Sequence, residues 1–570
     1  MSGLNLLRQS LVKRSFHLWL RVSLLALVAG GLAGGLGTSC AIPDPEYCAN
    51  TEQCLPVATE LGMMPQVCHP SRHVCVVPGP NTCFRNEDCI ADFKTPRCDL
   101  KTNSCVPCNV GDNSSCAHFT ERPLCVQSSD GSGATLCVAC QTSAQCPSEK
   151  PICDAQQCRK CSTHSDCEGE VKCDGGSPCT DSLVCIQEGD LRPELVGQCA
   201  QNGTGAGGRV VYVNGSDMSQ CGTAINATGS SLSSPLCTLD QGLDLARTQN
   251  RHYIRVVGSS GSIQSGLNQS ITMGSYAFIG APAPSKGFPD MVTIQHRGTV
   301  FDVSNTGSVT VDQFNIFEKN AAVTALSCSG GATAPGLTLR RSILTGATPS
   351  NMPNTFAPAI LLFGCNAVLD GNIIGVTSFA DVTNPAATAH SVGINIIDNN
   401  GLSGLSSYLI QNNVIAGNAS IGISIAFGTF PTSKFVLRFN TIYGNGRGLT
   451  SMTNSPGGVG CPGGALKEFS HSIIAGNFKY AGSQVSSGSS SCSFKDIIVD
   501  AAEMGPDPAF TKVATVDTDL DAKFRLLPGA SWAIDKVTPA AAETLPSQDI
   551  YGVARPQNGK WDIGAAEYKP

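Results

Sequence analysis

Charge and aromatic rings are scarce in this chain. Of 570 residues, 14% are charged and 6% aromatic, with three tryptophans. That sparsity disfavours a charged helical enzyme and suits a β-rich extracellular protein. No basic stripe stands out, and the formal net charge is −7, which argues against a nucleic-acid binder. Long apolar runs are also scarce. The clearest, Val22–Leu36, has 15 residues and is rich in glycine; it is short for a membrane span but right for the core of a signal peptide. Arg8, Lys13, Arg14 and Arg21 surround it with no acid. Nucleophile-elbow, P-loop and HExxH patterns are missing. His252, His296, His390 and His471 are scattered and read as exposed surface residues.

Glycine and cysteine are plentiful, at 61 and 29 residues. The apolar run ends in Leu36-Gly37-Thr38-Ser39-Cys40. This resembles the lipobox of bacterial lipoproteins, although Leu36 lies one place early and Gly37 takes its usual position. The resemblance implies lipidation of Cys40, a membrane anchor at that residue and, with Ala41 instead of Asp behind it, the outer membrane. Cysteine parity agrees, because setting Cys40 aside leaves an even number.

Most cysteines fall between Cys40 and Cys199, in units. Cys48, Cys54, Cys68 and Cys75 form the first; Cys83, Cys89, Cys98 and Cys105 the second; Cys108, Cys116, Cys125 and Cys137 the third; Cys140, Cys146, Cys153 and Cys158 the fourth. A six-cysteine unit, Cys161, Cys167, Cys173, Cys179, Cys185 and Cys199, closes the run. CFRNEDC, CQTSAQC and CSTHSDC open three of them with the same C-x5-C spacing. So few large apolar residues cannot bury a core, so disulfides must supply the order, in an oxidising compartment. The C-x2-C joints also match zinc-ligand spacing, with His69, His73, His118 and His164 nearby, but the export signal favours disulfides. The pairing is open, since four cysteines allow three connectivities. The segment resembles the cysteine-rich repeats near the N-termini of secreted myxobacterial and related proteins.

The second half repeats a phrase: LTLRRSILTG at Leu337–Gly346, AVLDGNIIG at Ala367–Gly375, YLIQNNVIAGN at Tyr408–Asn418, FVLRFNTIYGN at Phe435–Asn445 and EFSHSIIAGN at Glu468–Asn477. Aligned on Ser342, Asn372, Asn413, Asn440 and Ser472, the copies recur every 27 to 41 residues. One strand-turn unit of that length cannot bury its own apolar face, so units must stack. The fold expected is all-β: a right-handed parallel β-helix after a disulfide-rich, loop-dominated region. About nine coils at the parallel-strand spacing make a stack on the order of 40–45 Å. Asn372, Asn413 and Asn440 are expected to form an inward ladder that satisfies turn backbone, and Leu339, Leu369, Ile410 and Leu437 a buried column.

A strand reading YV, a polar loop and PLCTLDQGLDLAR, with the apolar stripe Leu239, Leu243, Leu245 and Ala246, resemble the opening of bacterial β-helix proteins. There a helix caps the first coil. FRLLPGASWAID at Phe524–Asp535 and DIYGVARPQNGKWDIGAAEY at Asp549–Tyr568 resemble the closing segment of bacterial surface β-helix proteins of the choice-of-anchor Q type. That family implies the fold but no single activity. The expected organisation is a signal peptide at 1–39, disulfide repeats at 40–200, linker and cap at 201–252, β-helix at 253–505 and closing segment at 506–570. Cys221 with Cys237, Cys328 with Cys365, and Cys461 with Cys492 are disulfide candidates.

β-Helix lyases use a cluster of acids for calcium beside a basic residue, and glycosidases two facing carboxylates. The wall column two residues before each aligned Asn or Ser reads Arg340, Asp370, Gln411, Arg438 and Ser470. Its charges alternate, as in a cross-strand ion pair. No catalytic residue, metal ligand or cofactor is assigned. The expectation is a lipid-anchored surface protein whose β-helix binds extracellular carbohydrate or another surface polymer through Arg340, Asp370, Gln411 and Arg438, without catalysis. A polysaccharide lyase or glycoside hydrolase, or a purely structural envelope component, are the alternatives.

Overall fold

The computed structural model describes residues 54–569 apart from connecting segments, of which those of six residues or more are 77–82, 215–227, 281–290, 347–356, 383–390, 399–405, 428–433, 447–456, 461–466, 486–491, 502–509 and 539–544. The expected signal peptide, Cys40, Cys48, Cys221 and Cys461 therefore lie outside the described residues. The chain divides into two compact units, Met1–Cys137 and Val138–Pro570. The spatial boundary thus falls inside the disulfide region, and its last two cysteine units belong with the β-helix.

In the first unit, short antiparallel hairpins such as Arg97–Asp99 with Ser104–Val106 are stapled by disulfides. The pairing is crossed, first cysteine to third and second to fourth. Cys83–Cys98 interlocks with Cys89–Cys105, and Cys108–Cys125 with Cys116–Cys137. In the second unit Cys140–Cys153 and Cys146–Cys158 repeat it. The six-cysteine unit keeps the crossed frame as Cys161–Cys185 and Cys167–Cys199, with a hairpin closed by Cys173–Cys179 inserted. A small polar device recurs as well. Asn86 Oδ1 accepts the N–H of Cys98 at 2.9 Å, Asn113 Oδ1 that of Cys125 at 3.0 Å and Ser143 Oγ that of Cys153 at 3.1 Å. In the last unit an imidazole does this, His164 Nδ1 accepting from Cys185 N at 3.1 Å.

The second unit is built on a three-faced parallel β-helix. Sheet A has ten strands, from Val210–Asn214 to Cys492–Lys495; sheet B has ten, from Ile263–Ser265 to Phe510–Val513; sheet C has six, from Phe301–Ser304 to Val459–Gly460. Leu339, Leu369, Ile410 and Leu437 stack in register along the inside of sheet A and are fully buried. The helix Leu239–Thr248 caps the first coil. Its start is fixed by reciprocal bonds between Thr238 and Gln241, and it buries Leu239, Leu243 and Ala246.

The corner between sheets A and B repeats one conformation. Gln313, Arg341, Gly371, Asn412, Phe439, His471 and Asp496 all have φ between 46° and 69°. The left-handed region costs an ordinary side chain about 1–2 kcal/mol, so the stack must enforce it. It does so through backbone bonds such as Arg341 N to Asp370 O at 3.1 Å and His471 N to Lys495 O at 2.9 Å. The next residue inward is the expected ladder. Asn372 Nδ2 donates to Asn413 Oδ1 at 2.9 Å and Asn413 Nδ2 to Asn440 Oδ1 at 3.1 Å. A second ladder, five residues on, runs Asn418, Asn445, Asn477 and Gln484 at 2.9–3.0 Å.

The C-terminal segment lies along the flank of sheet B. Leu520, Phe524, Leu526, Ala533, Ile550 and Ile563 pack on an outward row that includes Ile343, Ile373, Val414 and Ile473.

Candidate functional site

The expected wall is the outer face of sheet A. Strand register places Arg340, Asp370, Gln411 and Arg438 in one column on consecutive coils. Asp312 precedes Arg340 in it. The column is an internal hydrogen-bonded rail. Gln411 Nε2 donates to Asp370 Oδ2 at 3.1 Å, and Arg438 Nε donates to Gln411 Oε1 at 3.0 Å. Asp370 Oδ1 also accepts from Asn412 Nδ2 at 2.9 Å, and the same amide reaches Gln548 O of the C-terminal segment at 3.2 Å. Arg340 turns its Nε to within 3.9 Å of Asp312. Asp370 thus braces the corner where the C-terminal segment docks. Beside the rail runs a half-buried column, Thr338, Val368, Leu409 and Val436, again one residue per coil. Its other border carries Asn366, Ser407 and Lys434; Ser407 N donates to Asn366 Oδ1 at 2.9 Å.

Nearer the N-terminal end the same face is covered. Val184, Ile186 and Ala200 of the six-cysteine unit pack on Tyr212, Tyr253, Ala277 and Ile279. The Tyr212 hydroxyl donates to the carbonyls of Asp181 and Ser182. Beside this patch His164 Nε2 lies 3.3 Å from Asp312 Oδ2, both side chains 1% exposed. Arg341 grips both oxygens of Asp312 and reaches Gln187 Oε1 at 2.7 Å. Burial holds the imidazole below its ordinary value despite Asp312. Burial works against the Asp312 carboxylate, yet Arg341, His164 and Arg340 together hold it far below the carboxylate range. The buried Arg255 guanidinium donates to Gly280 O and is drawn down to about 10 by burial.

The C-terminal motif residues form a second buried polar centre. Asp549 Oδ1 accepts from Tyr551 N and Val553 N, and its Oδ2 from Glu567 N at 2.7 Å. Glu567 accepts from Gln557 N and Asp562 N, and Asp562 from Asp535 N at 2.7 Å. Arg555 lies 3.4 Å from Glu567, donates to Gly564 O at 2.8 Å, and sits 5.0 Å from the ring of Phe439, one of the left-handed corner residues. Burial pushes the Asp549, Asp562 and Glu567 carboxyls up, Glu567 to about 7, against the pull of Arg555. These acids tie turns and dock the segment.

His471, expected at the surface, is instead 1% exposed at the sheet corner, with its Nδ1 3.1 Å from Asp496. The reason is the corner itself, which turns His471 under the C-terminal segment, where Gly564 N donates to His471 O. His252 is half-buried, and the side chains of His296 and His390 lie outside the described residues. Cys328 and Cys365, expected to bridge neighbouring coils, are two buried thiols. They interact with each other, and burial pushes the Cys328 thiol up. Both sit in the apolar interior of the coils. Cys492 is disulfide-bonded, while Cys461, its expected partner, is outside the described residues. Cys237 lies just before the cap helix, its N–H donating to Gln241 Oε1; Cys221 is outside the described residues.

Sulfur triads such as Cys83, Cys89 and Cys105 lie within 4.8 Å, a zinc-like arrangement. Zinc takes thiolates, and these sulfurs are tied up in disulfides. Among the described residues no helix is long and apolar enough to cross a membrane. Compared with protein-family models, curated proteins and solved structures, the chain matches none.

Proposed function

We propose that this is an exported bacterial surface protein of the choice-of-anchor Q type, held by a lipid on Cys40. On this reading its β-helix binds extracellular carbohydrate or another surface polymer along sheet A, without catalysis. The supporting observation is a stretch of that sheet whose outer residues stay half-buried among the described residues. Thr338, Val368, Leu409 and Val436 repeat one half-buried residue per coil beside the polar rail Asp370–Gln411–Arg438. Such a face repeats similar chemistry at each parallel-strand step, about 4.8 Å, and so suits a partner that itself repeats. Asp370 supports a non-catalytic reading, because its oxygens are engaged by Gln411 and Asn412. The reading calls on no cofactor.

The test uses residues 41–570 against immobilised pectins, alginates, glycosaminoglycans and a glycan array. Binding to one class is expected, weakened at least tenfold by Leu409→Arg with circular dichroism unchanged. Steady release of unsaturated products or new reducing ends would replace this reading with a lyase or hydrolase. Neither binding nor turnover would leave a structural envelope component. For the anchor, Cys40→Ser should release the protein from the membrane fraction; unchanged fractionation and mass would reject lipidation.

A further inference from the structure

The six-cysteine unit differs from its neighbours at one chemically important place. The position that accepts the N–H of the cysteine bridged to the first one of its unit is Asn86, Asn113 or Ser143 in three earlier units. In the last unit it is His164, which accepts from Cys185 N. Asparagine and serine do not titrate. Histidine does, in the range where no other unperturbed side chain changes charge. The bond from Cys185 N fixes the tautomer: Nδ1 is the acceptor, so Nε2 carries the proton and donates to Asp312 on the β-helix. One imidazole therefore closes the fold of its own unit and joins that unit to sheet A.

We propose that His164 is an acid-sensitive latch: neutral, it docks the Cys161–Cys199 unit onto the first coils of the β-helix, and protonated, it releases the unit from them. A proton added at Nδ1 would face the Cys185 N–H, donor against donor. The groups around the ring give the cation little help. On the β-helix side they are Asp312, Arg341 of the adjacent corner, and Arg255, with Arg340 bearing on Asp312 from the next strand. One carboxylate would have to serve the imidazolium and these guanidinium groups. Asp312 is held ionised, so it does not titrate first. The unfolded or undocked imidazole titrates near 6.5, and the docked one below that. Docking is therefore fully supported above about pH 6.5 and weakens as pH falls, by about tenfold per unit until the docked ring itself takes the proton.

The experiment is hydroxyl-radical footprinting of residues 41–570 between pH 7.5 and 5.0. Tyr212 and Tyr253 are fully buried beneath the docked unit, and Met273 is 70% exposed as an internal reference. In the wild type, labelling of both tyrosines relative to Met273 should rise by up to about 30-fold at pH 5, following the tenfold-per-unit slope. Asn at this position can accept from Cys185 N as Asn86 does from Cys98 N, so His164→Asn should keep the unit folded and show no acid-dependent rise. Equal labelling at both pH values in the wild type, or the same rise in His164→Asn, would overturn the latch. Should His164→Asn fail to dock at pH 7.5, an NMR titration of the wild-type imidazole decides. A neutral Nε2–H ring that takes its proton only as Tyr212 and Tyr253 become labelled supports the latch. A ring that titrates near 6.5 with both tyrosines still protected refutes it.

Discussion

Replacing Asn413 by alanine tests whether the amide ladder holds the coils together. Asn413 Oδ1 accepts from Asn372 N at 3.0 Å and Asn372 Nδ2 at 2.9 Å; its Nδ2 donates to Leu369 O at 2.9 Å and to Asn440 Oδ1. The two side-chain partners keep other bonds, since Asn372 Nδ2 still reaches Leu339 O and Asn440 Oδ1 still accepts Asn413 N. The backbone groups Leu369 O and Asn372 N lose this partner in a fully buried site. At about 1–3 kcal/mol for each buried polar group deprived of its bond, Asn413→Ala should cost about 2–6 kcal/mol. Serine should recover part of that. At the ladder's ends Ser342 Oγ accepts Phe314 N, and Ser472 Oγ accepts Asn440 N, so a serine at 413 can serve Asn372 N and abandon only Leu369 O. Aspartate should be at least as damaging as alanine, because it points a carboxylate at two oxygens. The assay is urea unfolding followed by far-ultraviolet circular dichroism. The reasoning fails if Asn413→Ala lies within about 1 kcal/mol of wild type, or if Asn413→Asp is the mildest of the three.

Arg555→Met should leave Glu567 buried without its cation, at about 3–5 kcal/mol, and free the C-terminal segment from sheet B. A shift in tryptophan fluorescence from Trp532 and Trp561, with the strand signal retained, reports it, and an unchanged spectrum up to the unfolding midpoint would contradict it. Gly375 has φ 117°, and an added Cβ would lie 1.9 Å from Ala416 O; Gly375→Ala should therefore lower the midpoint sharply or abolish folding, and a variant of wild-type stability would show that the coil yields there. Reductant should unfold residues 54–137, where small disulfide domains lose about 2–5 kcal/mol per bridge, while the Leu339–Leu437 column keeps the β-helix signal; proteolysis that instead cuts the β-helix first would reverse this assignment.

The coils were legible because their signals are periodic. Leu339, Leu369, Ile410 and Leu437 recur at one strand position, and Asn372, Asn413 and Asn440 at one turn position, so spacing alone placed them. The lateral docking of the C-terminal segment left a signal that went unread. Ile343-Leu344, Ile373-Ile374, Val414-Ile415 and Ile473-Ile474 are apolar at two successive strand positions, and a strand apolar on both faces is buried on both. The polar rail was placed correctly as a column, but its partners were not: Asn412 and Gln548 O meet at Asp370 only because the closing segment folds back 136 residues later. His164 and Asp312 are 148 residues apart. One sits in a disulfide repeat and the other in a strand, and no period relates them. The corner conformation was hidden for another reason: Gln313, Arg341, Asn412, Phe439 and His471 share a backbone angle but no chemistry.

The crossed disulfides also bear on mechanical load. When such a chain is pulled from its ends, tension runs through the shortest covalent path, and each bridge in the four-cysteine units takes the 12 to 21 residues it spans out of that path. The Cys89–Cys105 bridge alone withholds 16 residues, roughly 50 Å of slack at full extension. Because the two loops of a unit overlap, breaking one bridge still leaves the other to shorten the line. The region would therefore resist shear as a tether of nearly fixed length, stiffening early and yielding little further chain until its sulfur–sulfur bonds are cut.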